Sequence, residues 1–122
     1  MAAPDSGHNS SRLFHVRDRI SGSDFLIDTG AEISILPIHL SRRRHSQHAK
    51  LSLVAANNSI IKTYGEQSLI LDIGLRRRFT WVFIVAEVKQ PILGADFLSN
   101  YNLLVDMRKK KLIDVSTSLQ VN

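Results

Sequence analysis
One carboxylate in this chain is set apart by its neighbours. In Phe25-Leu26-Ile27-Asp28-Thr29-Gly30-Ala31 an apolar run stops at an aspartate, and a small hydroxyl residue and a glycine follow. Such a run reads as a rigid strand that delivers the carboxylate at its end. The glycine lets backbone approach the site with no side chain in the way. A carboxylate held like this can take a proton from water or give one to a carbonyl oxygen, which is general acid–base chemistry. A second segment, Pro91-Ile92-Leu93-Gly94-Ala95-Asp96-Phe97-Leu98, is an apolar pair and a glycine running into a short helical pattern.

In this order and spacing the two segments resemble the retropepsin family, the aspartic proteases of retroviruses and long-terminal-repeat retrotransposons. The resemblance is nearest to the Ty3/gypsy-type retroelement proteases. It rests on Asp28-Thr29-Gly30-Ala31-Glu32-Ile33-Ser34-Ile35-Leu36-Pro37 and on Ile92 through Leu98, and it extends over residues 12–114. It implies a closed β-barrel and an aspartic endopeptidase that cleaves its own polyprotein, in the cytoplasm or within virus-like particles. Asp28 would be the catalytic carboxylate. Thr29 would hydrogen-bond across a dimer axis, Gly30 would supply a backbone group beside the carboxylates, and Leu93 and Gly94 would pack behind the catalytic loop. Ala31, with Glu32 and Ile92 beside it, would line the substrate subsites. A hairpin carrying Leu53, Val54, Ala55, Ala56, Asn57, Asn58, Ser59 and Ile60 would close over an extended peptide as a flap. No metal or cofactor is needed.

Hydrolysis by aspartates takes two carboxylates in contact, one ionised to activate water and one protonated to donate to the carbonyl oxygen. At about 3 Å apart they cannot both ionise cheaply, so they share a proton and titrate as a pair. The chain has one Asp-Thr-Gly. Asp18 and Asp24 lie in turn chemistry, Asp72 is followed closely by Gly74, and Asp106 and Asp114 belong to a terminal hairpin. Asp96 follows the Leu93-Gly94 turn, where it would cap a helix or accept backbone amides. A twofold homodimer with its axis between Asp28 and its copy is the economical solution.

Two departures from the family pattern stand out. The hairpin tip has no glycine, which implies a stiffer flap. Ala95 stands where viral members often place an arginine, so Glu32 needs another partner, with Arg12 and Arg17 as candidates. A degenerate retropepsin-fold module for dimerisation or peptide binding is the second reading, and the intact Asp-Thr-Gly argues against it.

The elements that must position these residues are short strands. Residues 12–16 read as a strand and residues 18–24 as a turn. Residues 25–28 form a strand with no polar alternation, as expected where both faces are buried. Ile33, Ile35 and Leu36 make another buried strand ended by Pro37, and residues 38–50 a basic surface loop with one helical turn. Asn57-Asn58-Ser59 between two apolar runs is the strongest hairpin signal, because asparagine tolerates positive φ. Residues 69–73 and 79–85 alternate as strands, the second with Phe79, Trp81 and Phe83 on one face. Residues 95–100 read as a helix, and residues 103–106 and 111–115 as a closing hairpin. The pattern predicts an all-β fold with one short C-terminal helix. Residues 12–115 would be the domain, with 1–11 a flexible arm and 116–122 a flexible tail.

With 122 residues there is room for one core. No apolar run reaches the roughly 18–20 residues of a membrane span, and residues 1–11 lack a signal-peptide core. The absence of cysteine excludes disulfides and thiolate metal sites and suits a reducing compartment. The net charge of +5 comes from Arg42-Arg43-Arg44, Arg76-Arg77-Arg78 and Arg108-Lys109-Lys110-Lys111. Such clusters can follow a phosphate backbone. No aromatics are interleaved with them, so they read as solvated tips that guard strand edges, with incidental RNA contact at most. His8, His15, His39, His45 and His48 lack accompanying Cys or carboxylate ligands and read as surface residues. Trp81 reads as core.

Overall fold
The computed structural model describes residues 13–41, 52–54 and 57–122. Among these residues ten strands and one helix follow in chain order: β1 His15–Arg17, β2 Asp24–Ile27, β3 Ile35–Pro37, β4 Ser52–Val54, β5 Ile60–Leu71, β6 Phe79–Ala86, β7 Ile92–Leu93, α1 Ala95–Asn100, β8 Leu103–Asp106, β9 Lys111–Asp114 and β10 Leu119–Val121. A 3₁₀ turn, Ile38–Leu40, follows β3.

Seven strands make one sheet in the order β1-β2-β7-β3-β6-β5-β4, and β10-β9-β8 make a second. Strands β1 and β4 lie at opposite ends of the larger sheet, so among the described residues it does not close. The expected closed barrel is therefore corrected to an open, strongly connected sheet with a three-stranded one beside it. In the larger sheet β7 lies between β2 and β3, parallel to β2 and antiparallel to β3.

This arrangement explains the unbroken apolar runs. Phe25 and Ile27 of β2, Leu36 of β3 and Leu93 of β7 enter the main core with Phe79, Phe83, Phe97 and Leu112. Leu26, Ile35 and Ile92, one residue out of phase on the same three strands, enter a second cluster with Ala31 and Ala86. Successive strand residues face opposite sides, so burial on both faces leaves no polar position.

Three boundaries and one side chain differ from the sequence expectation. Residues 60–64 and 69–73 belong largely to one twelve-residue strand, β5. Its register against β6 shifts between Thr63 and Glu66, and Gly65 has φ 96°. The irregularity absorbs the residues that read as a break. Residues 116–122 are not a free tail: Asp114 Oδ1 accepts from Ser116 N, Ser118 turns at φ 62°, and β10 pairs with β9. Strand β3 ends at Pro37, as expected, but starts at Ile35 rather than Ile33, and Pro37 pairs with Ala86 of β6. Arg77 is not a solvated tip residue. It forms a forked ion pair with fully buried Asp114 at 2.9 and 3.3 Å, and lies over the rings of Phe79 and Tyr101. The cluster at Arg42 lies outside the described residues, as do His8, His45 and His48.

Candidate active site
Asp28 stands at the end of β2, where β7 has been inserted between β2 and β3. The chain must cross the end of β7 to reach β3, and residues 28–34 make that crossing. Asp28 N donates to Leu93 O at 3.0 Å, Ala31 N donates to Asp28 O at 3.1 Å, and Ala95 N donates to Ala31 O at 2.7 Å. The loop is thus tied to the strand it crosses at both ends.

Glycine at 94 is a steric requirement of this crossing. A Cβ there would lie 2.7 Å from Ala31 O and 2.9 Å from the carbonyl of Ile33, closer than real contacts allow. Both neighbours are backbone, so neither can swing aside. Behind them Ser34 is fully buried and joins three elements. Its Oγ donates to Asp96 Oδ1 at 2.6 Å and accepts from Gly94 N at 2.9 Å, while its N donates to Asp96 Oδ2 at 3.0 Å. Asp96 also accepts from Trp81 Nε1 at 3.2 Å and Phe97 N at 2.7 Å. It accepts the backbone amides expected of it, although Gly94 is the N-cap residue of α1. Ser34 and the Trp81 indole were not singled out by the sequence. A serine alone between Ile33 and Ile35 in an apolar run is the signal that could have found the first.

The carboxylate of Asp28 is arranged differently from every other described aspartate. Oδ1 accepts from Gly30 N at 3.0 Å, whereas Oδ2 is buried and has no hydrogen-bond partner. Asp18 is filled by the amides of Ile20, Ser21 and Asp72 and by the Ser21 hydroxyl. Asp24 pairs with Arg17, Asp72 accepts from Gly74 N, Asp106 from Lys109 N, and Asp114 binds Arg77. A buried carboxylate oxygen with nothing to bond is costly. It marks where a polar group belongs.

Thr29 and Gly30 are exposed beside Asp28, and Ala31 is buried beneath them. Ala31 and Ile92 share the second apolar cluster, against which Leu53 and Ile61 of the β4–β5 hairpin also pack. The hairpin base therefore lies on the same cluster as the Asp28 loop. Its tip carries Val54 and Ile60, paired across the strands and mostly exposed. Asn57 Oδ1 accepts from Ser59 N and Ser59 Oγ, and Asn58 takes φ 64°. Ala55 and Ala56 lie outside the described residues. At the base of β5 the Tyr64 hydroxyl donates to Glu87, and that carboxylate holds the phenol above its ordinary pKa. Glu32 is exposed, and Arg17, one expected partner, binds Asp24 instead. Seven positions apart in sequence, Arg17 and Asp24 stand directly opposite each other in the β1–β2 register, which decides the pairing. Arg12 lies outside the described residues.

Among the described residues no group of three or more His, Asp or Glu could hold a metal, and no helix is long and apolar enough to cross a membrane.

No protein-family model matches the sequence, and no curated protein matches it. Solved structures do match the fold. The retroviral protease-like domain of Ddi1 from Leishmania major superposes with a TM-score of 0.68 at 16% identity, over 89% of this chain and 91% of that one. The EIAV protease, solved with the inhibitor HBY-793, superposes with a TM-score of 0.56 at 17% identity, over 84% of this chain and 95% of that one. The fold is retropepsin-like.

Proposed function
We propose that this retropepsin-like chain is an aspartic endopeptidase, and that its active unit is a twofold homodimer with one Asp28 from each copy. The observation that carries the reading is the Asp28 carboxylate itself: strand-delivered, anchored through Oδ1, and left with a buried, unbonded Oδ2. The copy's carboxylate, or a proton or water shared with it, would satisfy that oxygen.

In the paired site one ionised Asp28 takes a proton from water, whose oxygen attacks the peptide carbonyl carbon. The other, protonated, gives its proton to the carbonyl oxygen. Collapse of the tetrahedral species breaks the C–N bond: the proton held by the first carboxylate leaves with the amine, and a hydroxyl proton of the diol returns to the second. Thr29 and Gly30 would face the symmetry mate, and Ala31, Ile92 and Leu53 would offer apolar walls to an extended polypeptide. The exposed Val54 and Ile60 would gain a partner when the hairpin closes on it. The Asp-Thr-Gly-Ala-Glu and Ile-Leu-Gly-Ala-Asp-Phe-Leu strings favour a retroelement polyprotein as the natural substrate.

Purified chain should cleave peptides with apolar residues flanking the broken bond. Asp28→Asn should lose at least ~10²-fold, since positioned acid–base groups contribute about 10²–10⁴-fold. Unchanged cleavage by Asp28→Asn would remove the assignment. The second reading, a peptide-binding or dimerisation module without activity, draws on the similarity to a protease-like domain rather than to a viral enzyme alone. A pepstatin-type inhibitor that titrates one site per two chains would exclude it.

A further inference from the structure
We infer that Tyr64 and Glu87 form a latch at the base of the β4–β5 hairpin, and that Tyr64 is a positioning residue for peptide binding because it sets how that hairpin is held. The inference rests on the protease reading, in which the hairpin closes on substrate.

The hairpin has little packing of its own near the tip. Val54 is 63% exposed and Ile60 72%, while Leu53 and Ile61 nearer the base pack on the cluster that holds Ala31 and Ile92. Its attachment to the rest of the sheet runs through β5. Thr63 pairs with Ala86 of β6, and the ladder next pairs Glu66 with Ile84. Tyr64 and Gly65 therefore stand together against the single residue Val85, which is a bulge. Gly65 has φ 96°, and a Cβ added there would meet nothing within 4 Å. The glycine serves its backbone conformation and not a lack of room. A bulge with an uncrowded glycine is where this strand can bend.

Glu87 grips β5 beside that bend. Its N donates to Lys62 O at 3.1 Å, and its carboxylate accepts from the Tyr64 hydroxyl. The two attachments lie on either side of the buried Thr63. A hydrogen bond to an ionised acceptor is stronger than one between neutral groups. The ring of Tyr64 packs against the main core, so its hydroxyl is presented from a fixed position.

The segment that carries Glu87 is itself tied down. Val88 N donates to Ala86 O at 3.0 Å, and Val88 packs on the same cluster as Leu53 and Ile61. Gln90 Oε1 lies 3.0 Å from His15 Nε2, and Leu26 N donates to Pro91 O at 2.9 Å. Residues 87–91 are thus a post fixed to β1 and β2, and the hairpin hangs from it at Lys62 and Tyr64. With the latch made, the hairpin base is preset over the Ala31–Ile92 cluster. Without it, ordering the hairpin is left to the binding step, which weakens binding.

Tyr64→Phe keeps the ring and removes the hydroxyl. For a peptide with apolar residues flanking the cleaved bond, KM should rise at least threefold, and kcat should change less than KM, because the latch touches no reacting atom. Glu87→Ala should do the same and Glu87→Gln, which keeps an acceptor, should lose less. Added to Glu87→Ala, Tyr64→Phe should have no further effect. Amide hydrogen exchange across residues 60–63 should quicken at least threefold in Tyr64→Phe while exchange across β8 and β9 stays parental, which a general loss of stability would not produce. A parental KM in Tyr64→Phe, or an effect of Tyr64→Phe that persists in full beside Glu87→Ala, would overturn the inference. Faster exchange at 60–63 in a chain that cleaves no peptide would uphold the latch and remove the protease reading.

Discussion
Asp28 differs from the other described aspartates by what its neighbours leave undone. Asp18, Asp96 and Asp114 are wrapped by amides, hydroxyls, an indole or a guanidinium, and serve as internal staples. Asp28 keeps one oxygen in reserve. The backbone around it is held by contacts that tolerate no added atom. Gly94→Ala places a methyl 2.7 Å from Ala31 O, so the loop or β7 must shift. Overpacking of this kind typically costs about 1–3 kcal/mol. Urea denaturation should show that loss, and cleavage should fall further than stability alone explains, because Ala31 and Asp28 move with the clash. A Gly94→Ala chain with parental midpoint and parental rate would refute the close approach. Asp-Thr-Gly and Leu-Gly were legible as sequence strings because their chemistry is local. Ser34 with Asp96 was not, since the pair is 62 positions apart and nothing in either neighbourhood announces the other.

Strands β2, β3 and β7 were readable because burial on both faces leaves a signature of unbroken apolar residues, and α1 because a glycine and an aspartate open it. Strand β10 was not. Ser116-Thr117-Ser118 is polar and turn-forming, and the Asp114 acceptors, the positive φ of Ser118, the ladder to β9 and the packing of Leu119 and Val121 on the main core hold the chain there. The same Asp114 ties that hairpin to the 76–78 turn through Arg77, whose side chain keeps 37% exposure while that of Asp114 has none. Arg77→Met removes the charge and keeps most of the length. It should cost near the lower end of the ~3–5 kcal/mol typical of breaking a buried pair, because the carboxylate is left without its cation. Arg77→Met paired with Asp114→Asn should recover part of that loss. No recovery in the double variant would mean that the ring contacts of Arg77, rather than the ion pair, carry the energy.

At the scale of the molecule the sheet stays open, and the chain presents half of what peptide hydrolysis by aspartates requires. The all-β character was legible from strand spacing. Closure was not, because it depends on where β1 and β4 end up, and they end up at opposite edges. On the proposed reading a second copy completes the Asp28 carboxylate, whose Oδ2 is buried and unbonded, so activity should belong to pairs of chains. Mixing parent chain with a ninefold excess of Asp28→Asn chain, under conditions where subunits exchange, tests this directly. If each site needs both aspartates, random pairing leaves about a tenth of the parent chains with an active partner, and activity per parent chain falls to about that level. Activity that is indifferent to the excess would show that one chain is sufficient, and would contradict the account.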